Sequence, residues 1–140
     1  MKIANKEIHP SLIIYLISMV LPIFFNGGLL LGIMGLFLGW VGILGGSLFI
    51  SLSWVSNFLY LFSLLATKLN LKTQIKLSGT AIVLGLFAIG IRELPENAGG
   101  KNMEVYVGIG YIAWMASFIY LFADQIKELK ALSKQHSNIV

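Results

Sequence analysis

The sequence predicts an all-α fold: a single polytopic transmembrane helical bundle over residues 1–140, with four crossings favoured over five. Three observations carry this. First, Pro10 to Thr67 is a run of 58 residues without a charged side chain, and one apolar helix of about 20 residues already spans a bilayer core. Second, only 11% of residues are charged and mean hydropathy is +0.85, against about 25% charged in a soluble domain. Third, apolar residues run continuously and do not alternate, which favours helices over a membrane β-barrel. The charges cluster before residue 10, at 68–76 and after 91. Between those clusters lipid must be the solvent, and there the backbone has to be satisfied inside helices.

Five apolar segments follow in order: 11–25, 28–46, 47–67, 77–91 and 105–123. The first follows a positively charged start and reads as an uncleaved span, with Pro22 late enough to kink it. The second is glycine-rich. Gly28, Gly32, Gly35, Gly39, Gly42 and Gly46 repeat at spacings of 4, 3, 4, 3 and 4, which would align them along one side of a helix. The third carries polar residues at helical spacing: Ser53, Asn57, Tyr60, Ser63 and Thr67. The fourth lies between Lys76 and Arg92. The fifth keeps an apolar spacing through Ile126, Leu129 and Leu132, so a cytoplasmic helical extension to about residue 133 is expected. Between the last two segments, residues 92–104 hold Glu93, Glu96, Glu104, Pro95 and Gly99-Gly100, the composition of a hairpin connection.

The basic residues choose a topology. With residues 68–76, the C-terminal tail and the N-terminus inside, eight Lys and Arg lie inside and two outside. That arrangement needs an even number of crossings before Lys68. The glycine-rich stretch is then re-entrant, interfacial or part of a bent hairpin; a fully spanning 28–46 would give five crossings and reduce the bias to six against four. Lys68, Lys72 and Lys76 recur every four residues and are read as anchors on lipid. The net charge of +4 is explained by these flanking lysines, so a lipid bilayer and not nucleic acid is the expected partner.

Several chemistries lack their residues. The chain has no cysteine, which removes disulfides, thiolate metal sites and cysteine nucleophiles. No phosphate loop, HExxH or intramembrane ionisable group is present. Three loop carboxylates could bind a divalent cation, but solvated charge is the commoner reading of Glu93, Glu96 and Glu104. No catalytic residue, metal or cofactor is therefore expected.

What remains is packing. Each glycine in a helix interior costs roughly 1 kcal/mol relative to alanine, so the repeat reads as a close-contact seam, within the chain or between chains. Asn57 is the most polar mid-segment residue. It is read as a buried hydrogen-bond clamp with Trp114 or Ser117 as partner, and otherwise as lining a small polar cavity with Ser53 and Tyr60.

Two stretches also carry a resemblance. Leu38-Gly39-Trp40-Val41-Gly42 with Ser53-Trp54-Val55-Ser56-Asn57, and Gly110-Tyr111-Ile112-Ala113-Trp114-Met115-Ala116-Ser117, resemble a family of small uncharacterised bacterial polytopic inner-membrane proteins. The shared pattern is L-G-W-x-G, W-x-x-N and G-Y-x-x-W-x-x-S, over about residues 30–125. The resemblance implies a multi-pass inner-membrane protein and specific packing roles for Gly39, Trp40, Asn57, Tyr111, Trp114 and Ser117. The expected function is non-enzymatic: an accessory or structural subunit, or a neutraliser of a membrane-acting factor. The alternative is a small channel or solute facilitator formed by self-association. A homo-oligomer or a membrane-protein partner would fit either.

Overall fold

Pro10 opens helix α1 (Pro10–Val20), and His9 caps it by accepting the Ser11 backbone N–H on its ring. Proline suits the first helical position because its missing N–H would be unpaired there anyway. The helix stops where the second proline begins. Leu21 is extended (φ −90°, ψ 153°), the conformation that a following proline imposes. The computed structural model describes residues 8–25, 29–44, 47–66, 68–95 and 102–137.

After α1 the chain forms strand β1 (Pro22–Phe25), which pairs antiparallel with β2 (Leu29–Leu31) and with β5 (Tyr106–Val107). A second hairpin joins β3 (Glu93–Pro95) to β4 (Asn102–Glu104), with Glu93 opposite Glu104. The fold is mostly helical, but the all-α expectation is corrected by these two small sheets. The apolar segment 11–25 is not one helix: α1 has 11 residues, about 16 Å of rise, and the rest is strand.

The glycine-rich stretch also departs from expectation. It is no single helix but two short ones, α2 (Gly32–Leu38) and α3 (Val41–Leu44), separated by a turn at Gly39-Trp40. Gly28 and Gly46 lie outside the described residues. The helix cost of closely spaced glycines works against one continuous helix. The break also leaves carbonyls without intrahelical partners, and the Trp54 indole supplies a donor to one of them, the Leu36 carbonyl, at 2.8 Å.

Three longer helices follow. Helix α4 (Leu48–Leu65) has 18 residues. Helix α5 (Leu71–Leu86) continues as a 3₁₀ turn through Gly90. It begins at 71 and not at 77, because the Asn70 side chain accepts the Thr73 N–H at 2.8 Å and so supplies an N-cap. Helix α6 (Ile109–Ser137) runs 29 residues. It starts later than 105, since Val105 donates its backbone N–H to the Arg92 carbonyl and Gly108 donates to that of Ile23. It also continues four residues past the expected 133. The stretches 48–65, 71–90 and 109–135 are each long and apolar enough to cross a membrane.

The contacts set the directions. His9 meets Asp124, Tyr15 stacks against Phe118, and Gly110 abuts Leu21 and Pro22, so α1 and α6 are antiparallel. Asn57 meets Tyr15 and Tyr60 meets Ser11, so α4 is antiparallel to α1. Helix α5 runs against both α4 and α6, through Ser63 with Gln74 and Ser78 with Gln125 at one end, and Gly90 with Phe49 and Gly85 with Met115 towards the other. Lys68, Lys72, Lys76, Lys127, Lys130 and Lys134 therefore share one end with His9, and the five strands share the other.

Candidate functional site

The middle of the bundle is an aromatic stack closed by hydrogen bonds. Tyr15, Tyr60 and Phe118 lie face to face, with ring centroids 5.0 Å apart for the tyrosines and 4.7 Å for Tyr60 and Phe118. Trp114 leans on Phe118 at 4.8 Å. Offset aromatic contacts of this kind add to the burial of area itself. Ser53, Asn57, Tyr60 and Ser63 are all buried and all on the inward face of α4. Thr67, at the end of that stripe, lies outside the described residues.

The stripe residues do different things. Ser53 donates to the Phe49 carbonyl one turn back, so it is satisfied on its own helix. Asn57 reaches across. Its Oδ1 accepts the Trp114 indole N–H at 2.8 Å and the Tyr15 hydroxyl at 2.9 Å, and its Nδ2 donates to the Trp54 carbonyl at 3.1 Å. Indole is a donor only, so the atom facing Trp114 has to be the carboxamide oxygen, and this fixes the orientation of the amide. The hydrogen bond of Ser117 goes elsewhere: its hydroxyl donates to the Trp114 carbonyl at 2.6 Å.

Nearer the lysine end, Tyr60 donates to Ser11 Oγ at 3.1 Å, and Ser11 Oγ lies 2.8 Å from His9 Nδ1. Since Nδ1 also accepts the Ser11 backbone N–H, the ring proton sits on Nε2, which donates to Asp124 at 3.2 Å. Ser11 is completely buried. This Ser–His–Asp chain therefore caps a helix and tethers it to α6, and its hydroxyl is closed to any substrate. Beside it, Gln125 links three helices: Ser78 donates to its Oε1 at 2.7 Å, and its Nε2 donates to Ser63 Oγ at 3.0 Å. Ser63 in turn donates to the Gln74 carbonyl.

Towards the strand end lies a half-open cavity of about 620 Å³, within the roughly 300–1,000 Å³ range of small-molecule sites. Helices α2 and α3, the first half of α4, the 3₁₀ turn and the β3–β4 hairpin enclose it. Its floor is Asn57 and Trp114, and Trp54 forms part of the wall. Glu93 and Asn102 belong to its lining and are joined by a 3.0 Å hydrogen bond.

The described seam glycines face separate neighbours in the same chain. A Cβ on Gly32 would strike the Ser18 carbonyl, on Gly39 the Trp54 ring, and on Gly42 the Ile50 side chain. Gly35 is different: among the described residues a Cβ there would meet only the Ile23 Cγ2, at an ordinary 3.7 Å. Lys68, Lys72 and Lys76 are exposed. Glu96 of the acidic loop lies outside the described residues, and among the described ones no group of three or more His, Asp or Glu gathers.

Comparison with known proteins finds no match: no family model, no curated protein and no solved structure corresponds to the chain.

Within the chain itself, the three short motifs come together in space. Gly39 lies under Trp54, Asn57 accepts from Trp114, and Ser117 donates back to Trp114. Tyr111 reaches the Gly85 carbonyl at 3.4 Å. Trp40 is half exposed. Sequence reasoning missed Tyr15, Gln125, Ser78 and Gly85. Tyr15 is a polar group inside an apolar helical run, a signal of the same kind as Asn57, whereas Gln125 sits among Asp124, Lys127 and Glu128 and reads as surface. Gly85 carries no such mark; its contact with Met115 arises only from the packing of α5 on α6.

Proposed function

We propose that the chain is a non-enzymatic integral membrane protein that acts by interaction, as an accessory or structural subunit or as a neutraliser of a membrane-acting factor. The observation that carries this reading is the closed layer at the bundle centre. Tyr15 and Trp114 both donate to one Asn57 oxygen, and the stacked Tyr15, Tyr60 and Phe118 fill the space beside it. A conduit needs a continuous wet path, and a reaction centre needs a group free to react. These side chains are engaged with one another. Specificity is then left to shape and to outward apolar side chains such as Phe58, Phe62, Ile112 and Ile119. The self-associating channel has less support, since Gly32, Gly39 and Gly42 already face neighbours in their own chain.

In this reading four segments cross a bacterial inner membrane. Helix α1 and strand β1 cross together, about 16 Å of helix and 13 Å of strand, beside the antiparallel β5 and α6. Both termini face the cytoplasm, because the six lysines at 68–134 share the end that holds His9. Lys68, Lys72 and Lys76 rest on anionic lipid, each contributing about 1 kcal/mol. The resemblance to small multi-pass inner-membrane proteins fits this arrangement and belongs to the same proposal.

Photo-crosslinking residues at Phe58 and Ile112, introduced separately and activated in native membranes, test the reading. A discrete protein adduct is expected, together with no solute flux in reconstituted vesicles. Lipid adducts alone at both positions, or saturable flux, would contradict it.

A further inference from the structure

The cavity above Asn57 has a feature that the closed layer does not explain. A carboxamide offers two acceptor lone pairs and two donor hydrogens. Three of these four are taken, by Tyr15, Trp114 and the Trp54 carbonyl. The second Nδ2 hydrogen has no partner among the described residues. Asn57 is only 6% exposed, and what it lines is the cavity. Nδ2 already has one acceptor in the Trp54 carbonyl, and its second hydrogen leaves capacity for one more acceptor at the bottom of this space.

We propose that this cavity binds an uncharged long-chain molecule bearing one hydroxyl or carbonyl oxygen, which accepts the free Asn57 N–H while the chain fills the apolar space. Three observations define the ligand. The lining is mainly apolar, from Ile23, Leu30, Leu36, Ile50 and Ile91, with Ser47 and Ser53 also in it. Among the described residues Glu93 is the one charged side chain in that lining, so a carboxylate or phosphate would meet like charge. Three of the lining side chains, Met34, Leu38 and Val41, are apolar and themselves 44%, 59% and 40% exposed. In the four-crossing arrangement these three lie at the strand end, at the lipid–water boundary, so an amphiphile enters from there. The inference needs the membrane setting but not the interaction role, and it holds equally if the chain has no protein partner.

Two of the three tryptophans, Trp54 and Trp114, line the cavity, whereas the half-exposed Trp40 does not. A Trp40→Phe chain in detergent therefore reports on the cavity through quenching by brominated ligands. The probes are 11-bromo-1-undecanol, 1-bromoundecane and 11-bromoundecanoate. The alcohol should quench saturably and bind roughly 2- to 10-fold more tightly than the alkane, the value of one neutral hydrogen bond, and the carboxylate should bind more weakly than the alcohol. Gly35→Leu should abolish saturable quenching with an unchanged circular dichroism spectrum, because Gly35 lines the cavity and has room for a side chain. Asn57→Leu should remove the preference for alcohol over alkane. Equal affinity for alcohol and alkane in the starting chain would overturn the proposal. So would linear quenching without saturation, tight carboxylate binding, or full quenching in Gly35→Leu. These outcomes leave crosslinking to a protein partner untouched, so the two proposals fail separately.

Discussion

Trp114 and Asn57, 57 positions apart in the chain, meet in the middle of the bundle with the indole N–H 2.8 Å from the carboxamide oxygen. The same oxygen accepts the Tyr15 hydroxyl. One polar side chain on α4 thereby ties α1 and α6 to it, and all three partners are buried.

Removing that side chain orphans two donors at once. An interhelical polar contact in a membrane averages about 0.6 kcal/mol and reaches roughly 1.7. Asn57→Leu should therefore destabilise by about 1–2 kcal/mol without unfolding the chain, read by thermal or denaturant unfolding in detergent. The Asn57→Leu and Trp114→Phe effects should be less than additive, since the second removes a donor that the first has already orphaned. Additive losses would mean that the two residues act separately.

Gln125 provides a contrast. Ser63 and Ser78 keep backbone acceptors, at Gln74 and Ile75, when its amide is removed. Gln125→Leu should consequently cost less than Asn57→Leu, about 0.5 kcal/mol. The same unfolding measurement compares them, and an equal or larger loss at Gln125 would move the main clamp towards the lysine end.

The glycines separate by what stands opposite them. Gly32→Leu pushes into the Ser18 backbone and Gly39→Leu into the Trp54 ring. Overpacking of this sort costs about 1–3 kcal/mol, and backbone yields less than a side chain. Gly35→Leu should be close to neutral, because among the described residues only Ile23 is near, at ordinary contact distance. Melting temperatures of the three variants test the order, and a loss at Gly35 equal to that at Gly32 would contradict it.

Part of this arrangement is legible in the residues themselves. The spacing of Ser53, Asn57, Tyr60 and Ser63 marks one face of a helix, and those four side chains are buried. The glycine repeat misleads on its architecture. Periodicity assumes a continuous helix, while Gly39-Trp40 turns the chain and Trp54 stabilises the break by taking the Leu36 carbonyl. That compensation is tertiary and leaves no local trace. The strand at Pro22–Phe25 was hidden in part for a similar reason: it pairs with the nearby Leu29–Leu31, but its second partner, Tyr106–Val107, lies more than 80 residues away. The start of α5 was hidden by charge. Lys72 and Lys76 look like loop residues, but Asn70 caps a helix that already contains them.

The central proposal is that four segments cross the membrane, the first as helix plus strand, while 29–44 stays at one end. The chain has no cysteine, so single cysteines map it without background. The exposed positions Ile8, Leu44, Lys68, Asn102 and Ser133 are the informative sites. With an impermeant thiol reagent on intact cells, cysteine at Leu44 and Asn102 should label, and cysteine at Ile8, Lys68 and Ser133 should label only after the membrane is opened. Labelling at Ile8 from outside, with Lys68 still protected, would contradict the account, because the early run would then cross three times.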